Sequence, residues 1–251
     1  MKFSRFVVVA VVAALALGAC SSDKKAGTTG SNGSATGSVT LYVPASLKVI
    51  AERLVKVYTT KHKGAKVTVN TNATPASLKT VVTKGGSAVL LLADATFPAI
   101  AANLKPVSLA QNRAAIAVSA TNPKKVTSVA AFAATSGLHT SLCGAKTGVG
   151  NTIQWVLLKS KVKADPKSIG VGCQRKSMLE LAKNQLDAVL LFRGGAFPPK
   201  GVKLLDIPAP QNYIVKFSFL VAGKSKADKQ FGAFLASAGA RRILTLNGYL
   251  A

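Results

Sequence analysis

The run AVLLLADA, Ala88 to Ala95, carries apolar side chains on both of the faces that a strand presents. A strand of that kind is buried from both sides, so the rest of the chain has to supply layers above and below it. It does so by alternation. VTLYV (Val39 to Val43) has strand composition, and the helix after it keeps the i, i+3, i+4, i+7 spacing at Leu47, Ile50, Ala51, Leu54, Val55 and Tyr58. Ser46 stands immediately before that face, as an N-cap should. KVTVN (Lys66 to Asn70) is the next strand. The polar loop TNATPAS then leads into a second helix near Leu78 to Thr83, with Pro75 suited to its first turn.

The middle of the chain repeats the pattern: strand AAIAVSA (Ala114 to Ala120), helix VTSVAAFAA (Val126 to Ala134), strand LHTSLC (Leu138 to Cys143) and helix TIQWVLLKS (Thr152 to Ser160). SIGVGCQ precedes a helix, SMLELAKNQ (Ser177 to Gln185), and a strand, DAVLLF (Asp187 to Phe192). Two strands, VKLLDIP and YIVKFSFLVA, and one Ala-rich helix from Ala227 to Leu246 close the sequence. Such alternation implies an α/β protein of three layers with a mixed, mostly parallel central sheet. About 210 residues exceed one typical core, so two lobes are expected.

The first twenty residues have a different character. Lys2 and Arg5 precede the apolar run FVVVAVVAALAL (Phe6 to Leu17), which is too short to span a bilayer and fits the h-region of a signal peptide over residues 1–19. LGAC, ending at Cys20, looks like a lipobox, in which Cys20 becomes the lipidated first residue; the alternative is an ordinary signal peptide that contains a Cys. The small polar residues that follow, up to Ser38, read as a flexible tether, so 20–38 is assigned to lipidated Cys and linker. Export leaves Cys143 and Cys173 as an even pair in an oxidising compartment, where one disulfide is expected in preference to a metal site. Closing that loop would stabilise by roughly 3 to 4 kcal/mol; two unpaired buried thiols are the alternative.

The chain holds 33 Lys and Arg against 8 Asp and Glu, a formal charge of +25. Without Lys2 and Arg5 the balance is 31 against 8, or about +23. That charge attracts anionic partners, among them lipid headgroups, wall polymers and small anions. The scattered Lys residues, low aromatic content and lack of a nucleic-acid module argue against nucleic acid. Catalytic groups are few. His62 lies in the polar turn TKHKG and reads as a surface residue, and His139 reads as a core or edge histidine in preference to a metal ligand with Cys143. No carboxylate pair or nucleophile motif stands out, so an enzyme is not expected, nor a cofactor or metal.

What the chain does offer is a recurring strand, polar loop and helix start. Ser46, Thr74 and the loop Gly148 to Asn151 each sit where free backbone N–H groups and a helix dipole point outward. Converging, they would cradle a tetrahedral oxyanion; taken singly, each is a helix cap. CGAKTGVGNT, Cys143 to Thr152, comes within two residues of a nucleotide phosphate loop. Ala145 stands for its first Gly and Asn151 for its Lys, and the missing Lys argues against a nucleotide.

In the order of its motifs the chain resembles the molybdate-binding extracytoplasmic proteins, the substrate-binding components of ABC transporters. LYVPASLKVIAERLVKVYTTKHKGAKVTVN is similar to that family's opening strand, Ser-containing loop and helix, and NRAAIAVSATNP to the strand that crosses into the second lobe. GVGNTIQWVLLK, LELAKNQLDAVLLF and IVKFSFLVAGKSKADKQFGAFLASAGARRILTLNGY match its later loop, helix–strand unit and closing helix, so the likeness spans Ser38 to Ala251. The resemblance implies a type II periplasmic-binding-protein fold, with lobe 1 at 39–113 plus 208–251 and lobe 2 at 114–207.

It implies ligand contacts from the hydroxyls of Ser46 and Thr74, from the backbone near Val149 and Arg175, and at Phe192, with Gly148, Gly150 and Asn151 supporting the loop. Phe192 departs from the family, which carries a tyrosine hydroxyl there. Pro44 replaces an Ala, and only Asp94 remains of an acidic pair. Arg175 and Arg193 are additional charges near that position, able either to retune selectivity toward another oxyanion or to face solvent. The resemblance further implies a monomer that captures a molybdate-like oxyanion, molybdate or tungstate first, and docks on a membrane permease. A basic envelope lipoprotein bound to anionic wall or membrane material, with altered anion specificity or no transport role, is the alternative.

Overall fold

The computed structural model describes residues 37–101, 103–135, 137–143, 155–161, 168–169 and 173–251, without the side chains of 101, 141–143, 168–169 and 173. The expected signal peptide, Cys20 and tether fall outside these residues, as do Gly148, Val149, Gly150 and Asn151. The thiols of Cys143 and Cys173 are also outside.

Among the described residues nine strands form one sheet in the order β2-β1-β3-β9-β4-β7-β5-β6, with β8 joined to β4. They are β1 (Gly37–Tyr42), β2 (Ala65–Asn70), β3 (Ala88–Ala93), β4 (Val107–Ser119), β5 (Thr140–Cys143), β6 (Ser168–Ile169), β7 (Ala188–Phe192), β8 (Val202–Asp206) and β9 (Ile214–Val221). The helices are α1 (Lys48–Lys61), α2 (Pro75–Lys84), α3 (Phe97–Ala101), α4 (Val129–Ala134), α5 (Cys173–Ala182), α6 (Lys226–Leu235) and α7 (Ala238–Leu246), with helical residues also at 155–159.

The doubly apolar run behaves as its composition requires. On β3, Val89 and Leu91 enter a core with Leu47, Ile50, Leu54 and Tyr58 of the first helix and Phe231 and Leu235 of α6. The alternate residues Ala88, Leu90 and Leu92 pack the other way, onto Leu78, Phe97 and Ile100. The second half of the sheet is layered in the same manner. Ala114, Ile116 and Val118 of β4 face Val129 and Phe132 of α4, while Ala115 and Ala117 face Met178 and Leu181 of α5. Helix on both faces of one sheet is the expected three-layer order.

The long strand β4 joins the halves. From Val107 to Arg113 it pairs with β9, and from Ala114 to Ser119 it lies between β7 and β8. Two buried asparagines brace the point of change. Asn112 accepts from the backbone N–H of Arg113 at 2.9 Å and of Gly194 at 2.7 Å, and donates to the Gly194 carbonyl at 3.2 Å. Asn212 accepts from Ala114 N–H at 3.0 Å and Tyr213 N–H at 2.8 Å, and its Nδ2 donates to the carbonyls of Ala114 at 3.0 Å and Ile207 at 3.1 Å. Residues Ser34–Ala251 form one compact unit.

Several expectations change. The sheet is evenly mixed where a mostly parallel one was expected: β1–β2, β1–β3, β5–β6 and β5–β7 run parallel, and the four pairings made by β9 and β4 run antiparallel. The strand expected from Ala114 begins at Val107, because pairing with β9 holds the polar stretch Gln111 to Arg113 extended. Ser46 is not an N-cap. The first helix opens with a 3₁₀ turn, Ala45–Leu47, behind Pro44, and neither it nor α1 has a side-chain cap. The closing helix is two, since Ser237 accepts from Ala240 N–H and starts α7 anew. The helix expected from Ser177 starts at Cys173, which puts Arg175 inside its first turn.

Candidate functional site

Parallel strands β1 and β3 are neighbours, and the connections from β1 through β2 lie to one side of them. The chain therefore reverses direction in the sheet between β1 and β3, and open α/β sheets bind ligands at the carboxyl ends of the strands at such a point. A cavity of about 250 Å³ lies there. Its floor is made by Tyr42 and Val43 at the end of β1, Leu92 and Ala93 at the end of β3, and Val215 and Phe217 of β9; Phe192 enters from the end of β7.

Among the described residues, the hydroxyl side chains on its wall are those of Ser46, Thr96 and Tyr42. Ser46 is exposed within the 3₁₀ turn, and its hydroxyl makes no hydrogen bond among the described residues. Thr74 lies between two wall residues, Ala73 and Pro75. Its own side chain serves helix α2 as a capping box: Oγ1 accepts from Ser77 N–H at 3.2 Å while Ser77 Oγ accepts from Thr74 N–H at 2.9 Å. Thr96 and Val215 carry no signal in the sequence, since they reach the cavity through the ends of strands paired far along the chain.

Phe192 is buried and stands opposite Ala114, the first residue of β4 in the second half. Its carbonyl accepts from Gln174 Nε2 at 3.0 Å, which holds the first turn of α5 beside the cavity mouth. Arg175, next to Gln174, is exposed and is not a wall residue. Its N–H is one of the first-turn donors that have no partner within a helix.

Arg193 turns away from Phe192 because successive strand side chains alternate faces. Its Nε lies 3.1 Å from Asp206 Oδ1, and Arg113 NH2 lies 3.4 Å from the same oxygen. Asp206 is paired with Ala115, on the face that packs against α5. The three charges thus form a cluster behind the crossover. Among the described residues, the cavity wall has no charged side chain, and no group of His, Cys, Asp and Glu could hold a metal.

The fold thus sets a cavity at a sheet's switch point, where open α/β sheets bind ligands. Residues 39–250 match the model of the family described as bacterial extracellular solute-binding protein, and the chain belongs to that family. Among solved structures, a substrate-binding domain from Clostridium difficile assigned to a molybdenum ABC transporter superposes with a TM-score of 0.66 at 18% identity, over 85% of this chain and 98% of that one. PEB3, a Campylobacter jejuni protein, solved with L-phospholactate bound, gives 0.62 at 19% identity over 85% and 99%. The sulfate-binding protein SubI of Mycobacterium tuberculosis gives 0.58 at 17% over 84% and 86%. At these identities the likeness is one of fold. No curated protein sequence matches the chain.

The family places the protein outside the cytoplasm, in accord with the expected location, and solute binding agrees with the expected class. Among the described residues no helix is long and apolar enough to cross a membrane.

Proposed function

We propose that this chain is the solute-binding component of an ABC importer and captures a small anion in the cavity at the ends of β1 and β3. The observation that carries the reading is the position of that cavity. It lies at the switch point, between a wall from the β1 to β3 half and Phe192 from the half beyond the β4 crossover. Residues 39–113 with 208–251 would act as one lobe and 114–207 as the other, closing about the crossover when solute binds. Ser46, Thr74 and the backbone N–H groups near Val149 and Arg175 would supply donors. Donors fixed on helix starts select by size, because an anion that leaves them unpaired is penalised.

Molybdate and tungstate come first among the ligands, from the motif resemblance and the Clostridium neighbour; the PEB3 and SubI neighbours add L-phospholactate and sulfate. Cys20 would carry the lipid that holds a monomer on the outer face of the membrane, beside its permease. Thermal shift and calorimetric titration with molybdate, tungstate, sulfate and phosphate test the reading. A solute at a hundred times its Kd should stabilise the fold by about 2.7 kcal/mol. No stabilisation at millimolar concentration by any anion, inorganic or organic, would sink it. The net charge of +25 favours a second reading, a basic envelope protein held on anionic polymer or lipid. Retention on anionic vesicles without any solute response would select that one.

A further inference from the structure

We infer that the solute of this cavity is an organic anion with a hydrocarbon body, and that Phe192, Val215 and Phe217 form the platform that receives it. The inference rests on the solute-binding reading above and replaces the molybdate and tungstate placed first there with an organic ligand class. Three observations carry it.

The first is size. Four oxygens around a central atom occupy on the order of 100 Å³ when each is counted at a water's share of about 30 Å³. The cavity, open as it stands, holds about 250 Å³, which has room for a hydrocarbon body beside a tetrahedral head.

The second is the chemistry of the wall. Leu78, Leu92, Phe192, Val215, Phe217 and Val43 line it, and the described wall has hydroxyls but no cation. Anion oxygens pressed against such side chains lose water without gaining a partner, whereas a hydrocarbon body loses nothing there and removes apolar surface from water. Ligand sites commonly combine an apolar wall with a few polar groups at one end.

The third is how the apolar groups are placed. Ser46 and Thr96 follow the ends of β1 and β3, Phe192 comes from the end of β7, and Phe217 of β9 is paired with Ala93 at the end of β3. The register holds Phe192 against Ala114 in the crossover, and the basic side chain next to it, Arg193, is bound behind the sheet by Asp206. The arginine that could have placed a full charge in this part of the cavity is thereby withheld, and a phenyl ring stands there instead. The body of the ligand is placed on Phe192, Val215 and Phe217, with its head toward the hydroxyls of Ser46 and Thr96.

The test is a titration series on the purified full-length protein, read by calorimetry and by melting temperature. Phosphate, sulfate, molybdate and acetate are compared with methyl-, propyl- and phenylphosphonate, the corresponding sulfonates, and butyrate and benzoate. With at least one head group, affinity should rise about fourfold for each methylene buried, and the phenyl or propyl member should bind at least tenfold more tightly than the inorganic ion. A hydroxyl placed on the platform, by Phe192→Tyr or, if that chain does not fold, by Val215→Thr, should cut this preference at least threefold. Inorganic oxyanions binding as well as or better than every organic partner would overturn the inference and leave solute binding intact. Failure of all the probes would overturn both.

Discussion

Asn212→Ala removes the amide that ties the crossover together. The side chain is 2% exposed and serves four backbone groups: the N–H and C=O of Ala114, the N–H of Tyr213 and the C=O of Ile207. Each buried group left without a partner costs about 1 to 3 kcal/mol. Water can enter the space left by an amide, so the low end applies, and the sum is about 4 kcal/mol. For a chain of this size that lowers Tm by about 8 to 16 °C. Urea unfolding of the wild type and variant at neutral pH measures it, with the midpoint falling at unchanged slope.

Asn212→Asp sharpens the test. The carboxylate keeps the two acceptor contacts but faces the carbonyls of Ala114 and Ile207, so its folded-state pKa is raised above the unfolded value of about 3.9. A raised pKa means that the folded state prefers the protonated form. The deficit is therefore full at neutral pH, shrinks as pH falls through the folded pKa, and is least near and below about pH 4. A loss under about 1 kcal/mol for the Ala variant, or an Asp variant whose deficit grows on acidification, would refute the bracing argument.

Three other outcomes are expected. Ser225→Ala opens the capping box of α6, in which Ser225 Oγ accepts from Asp228 N–H at 3.1 Å and donates to the buried carboxylate, and should cost about 1 to 2 kcal/mol in urea unfolding. Gly194→Ala brings a Cβ to 2.7 Å from Asn112 Oδ1 and should destabilise by about 1 to 3 kcal/mol, read as a lower melting temperature; an unchanged value would show that the amide can move aside. Denatured, unreduced protein is expected to show no reactive thiol at Cys143 or Cys173, and labelling of both would establish that they are unpaired.

The parts of the fold that were legible in the sequence are those made by local periodicity. The stripe Leu47, Ile50, Ala51, Leu54 and Tyr58 is buried as its spacing implied, and AVLLL is buried on both faces. Long-range pairing hid the rest. Nothing local marks Val107 to Arg113 as strand, because β9, about a hundred residues away, holds it extended. The partners of Asn112 and Asn212 lie 82 and 98 residues distant, so the braces leave no trace in a window of sequence. At the site, Ser46 and Phe192 were legible through the motif resemblance and both line the cavity. Val215, Phe217 and Thr96 were not, since nothing near them announces a wall. The fate of Arg193 was readable in principle: two-residue alternation along DAVLLFR sets it on the opposite face from Phe192.

The pair of hydrogen bonds between Ala114 and Asn212 also has a consequence for engineering. Everything from Ala115 to Gln211 leaves and returns through one narrow neck, whose two sides bond each other in both directions. Excising that segment would leave Arg113 facing Ile214 with Ala114, Asn212 and Tyr213 between them, which is a hairpin connection of ordinary length. The strands β2, β1, β3, β9 and β4 would keep their register. If the two lobes are separate units, a foreign domain with closely spaced ends should be graftable at the same neck.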